Sequence, residues 1–150
     1  MREEGKHSGR GFNPDEIGDE ISDLQWTTAI VSTEGTDIVK LHISKFPQSV
    51  ANHVMLDRLE RIARGELEAT DTDKRFYTHE VREFERFRAL GFGDTEMPDI
   101  GSPIWNNVHT ATLEDFQLKD DPTLLYTPEA LAAAMEQEER DYQKLLKEMW

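Results

Sequence analysis

The chain has 150 residues, with 31 acidic against 17 basic side chains and a formal net charge of -14. That length suits one domain with a genuine core, and that charge opposes binding to nucleic acid or anionic membranes unless a metal offsets it. There is no cysteine, which excludes disulfides, thiolate nucleophiles and cysteine zinc sites, and no apolar run approaches the roughly 20 residues of a membrane span.

Residues 1–24 are polar, acidic and glycine-containing, and read as a flexible lead-in or a segment ordered only by docking. The opening "MREEGKHSGRG" lacks the apolar stretch of a secretory signal. Residues 25–150 then read as one mainly α domain of about five helices, with one short strand near its start. The strand is expected at "WTTAIVST", Trp26 to Thr33, because the run is β-branched. "GTDIVKLHISKF" follows as a helix carrying Ile38, Leu41 and Ile43. In "PQSVANHVMLDRLERIARGEL", Ser49 caps a helix, Met55, Leu56, Leu59, Ile62 and Ala63 form its stripe, and Gly65 ends it. A further helix runs from near Asp71 to Leu90, with Gly91 as its stop. Ser102 and Pro103 open another, from Ile104 to about Gln117, and Thr127 and Pro128 open the last. That last helix carries an apolar stripe of Leu131, Met135, Tyr142, Leu145, Leu146 and Met149.

Two positions break the apolar pattern. On the 71–90 helix, Glu80 falls near the centre of the arc drawn by Phe76, Tyr77, Val81, Phe84 and Phe87. His79 and Glu83, four apart, share one edge of that arc. On the 104–117 helix, His109 falls inside the stripe of Trp105, Val108, Leu113 and Phe116. A carboxylate cannot remain ionised in a core without a partner. The expected arrangement therefore sets Glu80 against His109, with Asn106, Asn107 and Thr110 supplying further hydrogen-bonding groups. A histidine held by a carboxylate serves as a general base or as a metal ligand; the same pair can equally do no more than fix the register of two helices. "HEVRE" is not the two-histidine zincin motif, since Glu83 stands at its later position. His79, Glu83 and His109 are nonetheless the donors of a two-histidine, one-carboxylate site for a divalent metal. His7, His42 and His53 form no evident constellation. No phosphate-binding glycine loop, nucleophile elbow or nucleic-acid motif is present.

Three stretches carry a family likeness: "GELEATDTDKRFYTHEVREFERFRALG", "WNNVHTATLEDFQL" and "LLYTPEAL". They resemble the variable C-terminal domains of bacterial polymorphic toxins, which sit at the ends of Rhs-repeat and filamentous-haemagglutinin-type proteins. The pattern there is a "YTHELRE…RYR.LG" helix, a "WNN.HTA.LEDYG" helix and a short "LYHP" motif. The matching positions are Tyr77, Thr78, His79, Glu80, Arg82, Glu83 and Arg86, then Trp105, Asn106, Asn107, His109, Thr110, Leu113, Glu114 and Asp115, then Leu125, Tyr126 and Pro128. The likeness spans roughly Thr36 to Leu131 and departs at the end, where "LYTP" stands for "LYHP".

The resemblance implies an antibacterial effector domain, delivered into a target cell's cytoplasm as part of a larger protein and matched by a cognate immunity protein. It implies no reaction. An enzymatic toxin would centre on His79, Glu80 and His109, with Asn107 and Asp115 among its catalytic groups. Arg82, Glu83, Arg86, Asn106, Thr110 and Tyr126 would support them, in a hydrolysis run with or without a divalent metal. The alternative is a non-catalytic binding module, an immunity-like or carrier domain, which the acidic charge favours.

Overall fold

The computed structural model describes residues 2–18, 24–99 and 101–149. Among them lie five α-helices: α1 (Thr33–Ser44), α2 (Val50–Ala63), α3 (Asp71–Ala89), α4 (Ile104–Asp115) and α5 (Pro128–Met149). Two short strands, β1 (Glu3–Glu4) and β2 (Gly11–Phe12), pair antiparallel, with Glu3 opposite Phe12. The mainly α class expected from periodicity is the class observed. No described helix is long and apolar enough to cross a membrane.

Local chemistry accounts for most helix ends. Ser32 accepts a hydrogen bond from the Gly35 amide to start α1, and Ser49 accepts from Asn52 to start α2. Gly65 and Gly91, after α2 and α3, take the left-handed backbone that lets a chain leave a helix. The threonine of "LYTP" caps α5, where the Ala130 amide donates to Thr127 Oγ1 at 3.2 Å.

Three expectations need correction. Trp26 to Thr33 is not a strand. Trp26–Thr28 is a 3-10 turn, Ile30 is 84% exposed, and Thr33 already belongs to α1. A β-branched run gains little without a neighbouring strand, and the two strands described pair with each other at the N-terminus. The N-cap of α4 is Pro103 rather than Ser102, although the Ile104 amide still donates to Ser102 Oγ at 3.2 Å. The stripe of α5 is largely not covered. Ala130 is buried and α5 packs on α2, but Met135, Tyr142, Leu145 and Met149 stand exposed. Periodicity reports which face of a helix is apolar and not whether another element reaches it.

Helix α3 is the axis of the fold. It packs against α1, α2, α4 and the 3-10 turn at Trp26–Thr28. Eleven of its 19 residues are buried, more than a single apolar stripe would require. Val39, Ile43, Met55, Leu59, Phe76 and Ala130 belong to one apolar core cluster, and Leu113, Phe116, Leu118 and Leu125 form a second.

The start of α3 is fixed by charge. Thr70 and Asp73 form a reciprocal capping box, and Arg58 of α2 donates two hydrogen bonds of 2.8 Å to the Asp73 carboxylate. Burial pushes the Asp73 carboxyl up, but the bonds from Arg58 and Thr70 reverse this and hold it below the usual carboxylate range. A depressed folded-state value gives stability that is present above the unfolded value near 3.9 and is lost as pH falls through the folded value. Asp73→Asn is therefore expected to lower stability at neutral pH by about 2–3 kcal/mol, between the cost of a lost cap and that of a broken buried pair. It should also flatten the loss of stability below about pH 4. Urea unfolding across pH checks both.

Candidate functional site

Glu83 is the centre of the site. Its Oε2 lies 2.6 Å from His79 Nε2 and 2.8 Å from His109 Nδ1, and its Oε1 lies 3.1 Å from His42 Nε2. Three imidazoles from three helices, α1, α3 and α4, thus converge on one buried carboxylate. A carboxylate only accepts, so each facing ring nitrogen carries its hydrogen when it bonds to Glu83. His79 Nε2 and His109 Nδ1 also lie 3.1 Å from each other.

Elementary helix geometry explains part of this. Residues 79, 80 and 83 lie three and four apart, so they project from adjoining parts of one face of α3. Helix α4 brings His109 to that face and α1 brings His42. Aromatic rings wall the cluster: Phe46, Phe84 and Phe87 surround His42, and Trp105 stacks on His109 with centroids 4.6 Å apart.

The environment splits the two carboxyls. Burial, and then the charge of Glu83, push Glu80 well above the usual carboxylate range. Burial also pushes Glu83 upward, but the attraction of His79 and the hydrogen bonds from three imidazoles outweigh this and hold it well below that range. Burial lowers the His79 imidazole against the pull of Glu83. Two neighbouring carboxyls pushed in opposite directions by their surroundings are the arrangement that acid–base sites use.

A cavity of about 480 Å³ opens on this cluster. Its lining includes His79, Glu80, Glu83 and His109, with Trp105 and Tyr126 among the walls. The Tyr126 hydroxyl donates to Asn52 Oδ1 at 2.6 Å, and burial together with Glu80 and Glu83 raises its pKa, so it stays protonated.

The expected Glu80–His109 pair is not what forms. His109 is held by Glu83, and the imidazole beside Glu80 is His42, with Glu80 Oε2 3.7 Å from His42 Nε2. Position on a helical wheel shows that a residue faces inward; it does not show which neighbour meets it. His42, unassigned from sequence, completes the cluster. It is fully buried, and it follows the buried Gly35 and Val39 at steps of four and three residues, the spacing of one helix face. That spacing was the available signal.

The remaining motif residues are brought together elsewhere. Asn107 Oδ1 accepts from the Asn13 amide at 2.8 Å, and the Asn106 amide donates to the Gly11 carbonyl. Arg10 donates to Asn106 Oδ1, Thr110 Oγ1 and Asp120 Oδ2. Glu114 accepts from the amides of His7 and Ser8. Asp115 receives Arg82, at 3.0 Å, and Arg86, and the two guanidiniums also donate to the carbonyls of Leu24 and of Ile17 and Gly18. Neither Asn107 nor Asp115 lines the cavity among the described residues. The "WNN.HTA.LED" helix therefore presents His109 to the cavity and uses Asn106, Asn107, Thr110 and Glu114 to hold residues between His7 and Glu16, while Asp115 anchors the two α3 arginines that hold Ile17, Gly18 and Leu24.

Comparisons with protein-family models, curated proteins and solved structures return no match to this chain.

Proposed function

We propose that the chain is an antibacterial effector domain that performs a hydrolysis in the cavity beneath α4. The observation that carries this reading is the convergence of His42, His79 and His109 on the single carboxylate Glu83, beside a second carboxyl, Glu80, at the wall of a cavity. A pair serving only helix register needs no cavity. Hydrolysis needs a group that withdraws a proton from water and one that returns a proton to the leaving atom. The His109 imidazole, held through Nδ1 by Glu83 and lining the cavity, supplies the first, and the Glu80 carboxyl, at the same wall, supplies the second.

The effector assignment rests on the three toxin-like stretches, most of whose polar positions that match the family pattern are either in this cluster or in the contacts that fix α4. It brings a cognate immunity protein as partner and the target-cell cytoplasm as the place of action. The binding-module alternative is favoured by the net charge of -14, which suits an acidic protein that covers a basic partner.

The chain produced from an inducible promoter in the bacterial cytoplasm is expected to arrest growth, and co-production of the immunity protein encoded beside it to restore growth. Accumulation of folded wild-type protein at high level without effect on growth would overturn the effector reading and put the binding module first.

A further inference from the structure

Three donor atoms close the floor of the cavity: His79 Nε2, His109 Nδ1 and Glu83 Oε2, separated by 2.6, 2.8 and 3.1 Å. As a set of hydrogen bonds this triangle is poor. Both imidazole N–H groups must point at one carboxylate oxygen, which leaves the two nitrogens 3.1 Å apart as neighbouring donors with nothing to accept between them. As a set of metal ligands it is good. Ligands bound at about 2.0–2.2 Å on one face of an ion are themselves about 3 Å apart. We propose that His79, His109 and Glu83 bind one divalent transition-metal ion, with its open coordination positions facing the cavity.

The second group of donors, His42, Glu80 and Glu83, lies behind the first. His42 Nε2 sits 3.1 Å from Glu83 Oε1, the oxygen turned away from the triangle, and is fully buried. It orients the ligating carboxylate, the role an outer hydrogen bond plays at metal centres. Two imidazoles with one carboxylate select zinc, iron, manganese, cobalt or nickel over calcium and magnesium, which take oxygen ligands.

The outer hydrogen bonds set the strength of the site. A histidine bound through Nε2 carries its proton on Nδ1, and His79 Nδ1 is buried with no partner. Missing an outer partner of this kind lowers metal affinity about 10–100-fold.

The site is the cavity of the hydrolytic reading, and a bound ion would supply that reading with a polarised water. The binding claim is tested without activity. Chelator-treated wild-type protein is titrated with Zn²⁺ by calorimetry and with Co²⁺ by visible absorption. One equivalent of Zn²⁺ and the d–d bands of nitrogen- and oxygen-ligated Co²⁺ are expected. Glu83→Gln and His109→Gln, each confirmed folded by circular dichroism, should bind Zn²⁺ at least about 100-fold more weakly, the upper end of what a lost outer partner costs. His53→Gln, which removes an exposed imidazole outside the cluster, should bind as the wild type does. No uptake by folded wild type, or uptake indifferent to His109→Gln, overturns the proposal. Metal bound as predicted by a protein that leaves growth untouched would fail the effector reading alone; growth arrest by a protein that binds no metal would fail this proposal alone.

Discussion

Glu83→Ala is expected to be the most damaging single change in the protein. It removes the acceptor shared by His42, His79 and His109, and leaves at least two fully buried imidazoles facing an empty hub. Each buried donor left unsatisfied costs about 1–3 kcal/mol, so the loss should reach about 3–5 kcal/mol. That is a large share of a small domain's stability. Glu83→Gln separates structure from function. Its shape is kept and its amide oxygen still accepts on one side, while its NH2 group needs the imidazole it faces to turn to its other tautomer, so part of the stability should return. Its charge and basicity do not, so growth arrest should remain absent. Thermal melts and growth curves on the two variants check this. A folded Glu83→Gln protein as toxic as the wild type would show that the hub is a structural polar core.

The second large effect is expected at Asp115→Ala, far from the cavity chemistry. Asp115 is the shared counter-charge of Arg82 and Arg86, whose side chains are 7% and 4% exposed while its own is 26% exposed. The pair is neither a surface contact worth about 0–1 kcal/mol nor a fully buried one worth about 3–5, and the expected cost is about 2–3 kcal/mol. The two guanidiniums also hold the carbonyls of Ile17, Gly18 and Leu24. Loosening them should make the N-terminal segment cleavable by protease under conditions where α1 to α4 resist. Urea unfolding gives the first quantity and limited proteolysis the second. Stability unchanged by the substitution would mean that solvent replaces Asp115 at little cost.

Much of this architecture was legible in the residues, for local reasons. Ser49, Gly65, Gly91 and Thr127 marked helix ends because caps act within a few residues. Glu80 and His109 stood out because a polar group on an apolar face is a local contradiction. What was not legible depends on partners. The β-branched run after Trp26 looked like a strand because propensity cannot say whether a neighbouring strand exists. Met135 and Tyr142 looked like core because periodicity is blind to coverage. Glu83 looked peripheral because α3 was read as a helix with one buried face, whereas it is packed on most sides. The choice of Glu83 over Glu80 as partner of His109 is set by how α4 crosses α3, which no wheel contains. The toxin-like stretches serve two ends at once. His79, Glu80, Glu83 and His109 line the cavity, while Asn106, Asn107, Thr110, Glu114 and Asp115 hold the chain that precedes α1.

The central claim is that the cluster around Glu83 does chemistry and is not merely a polar core. His109→Gln tests it most directly. The His109 side chain is 16% exposed at the cavity, so its replacement by a neutral polar group of similar length should cost less stability than Glu83→Ala or a change at the fully buried His42. Growth is measured with His109→Gln produced at the wild-type level and its melting temperature checked on purified protein. The account predicts a folded protein that no longer arrests growth. A folded His109→Gln protein that arrests growth as the wild type does would contradict it.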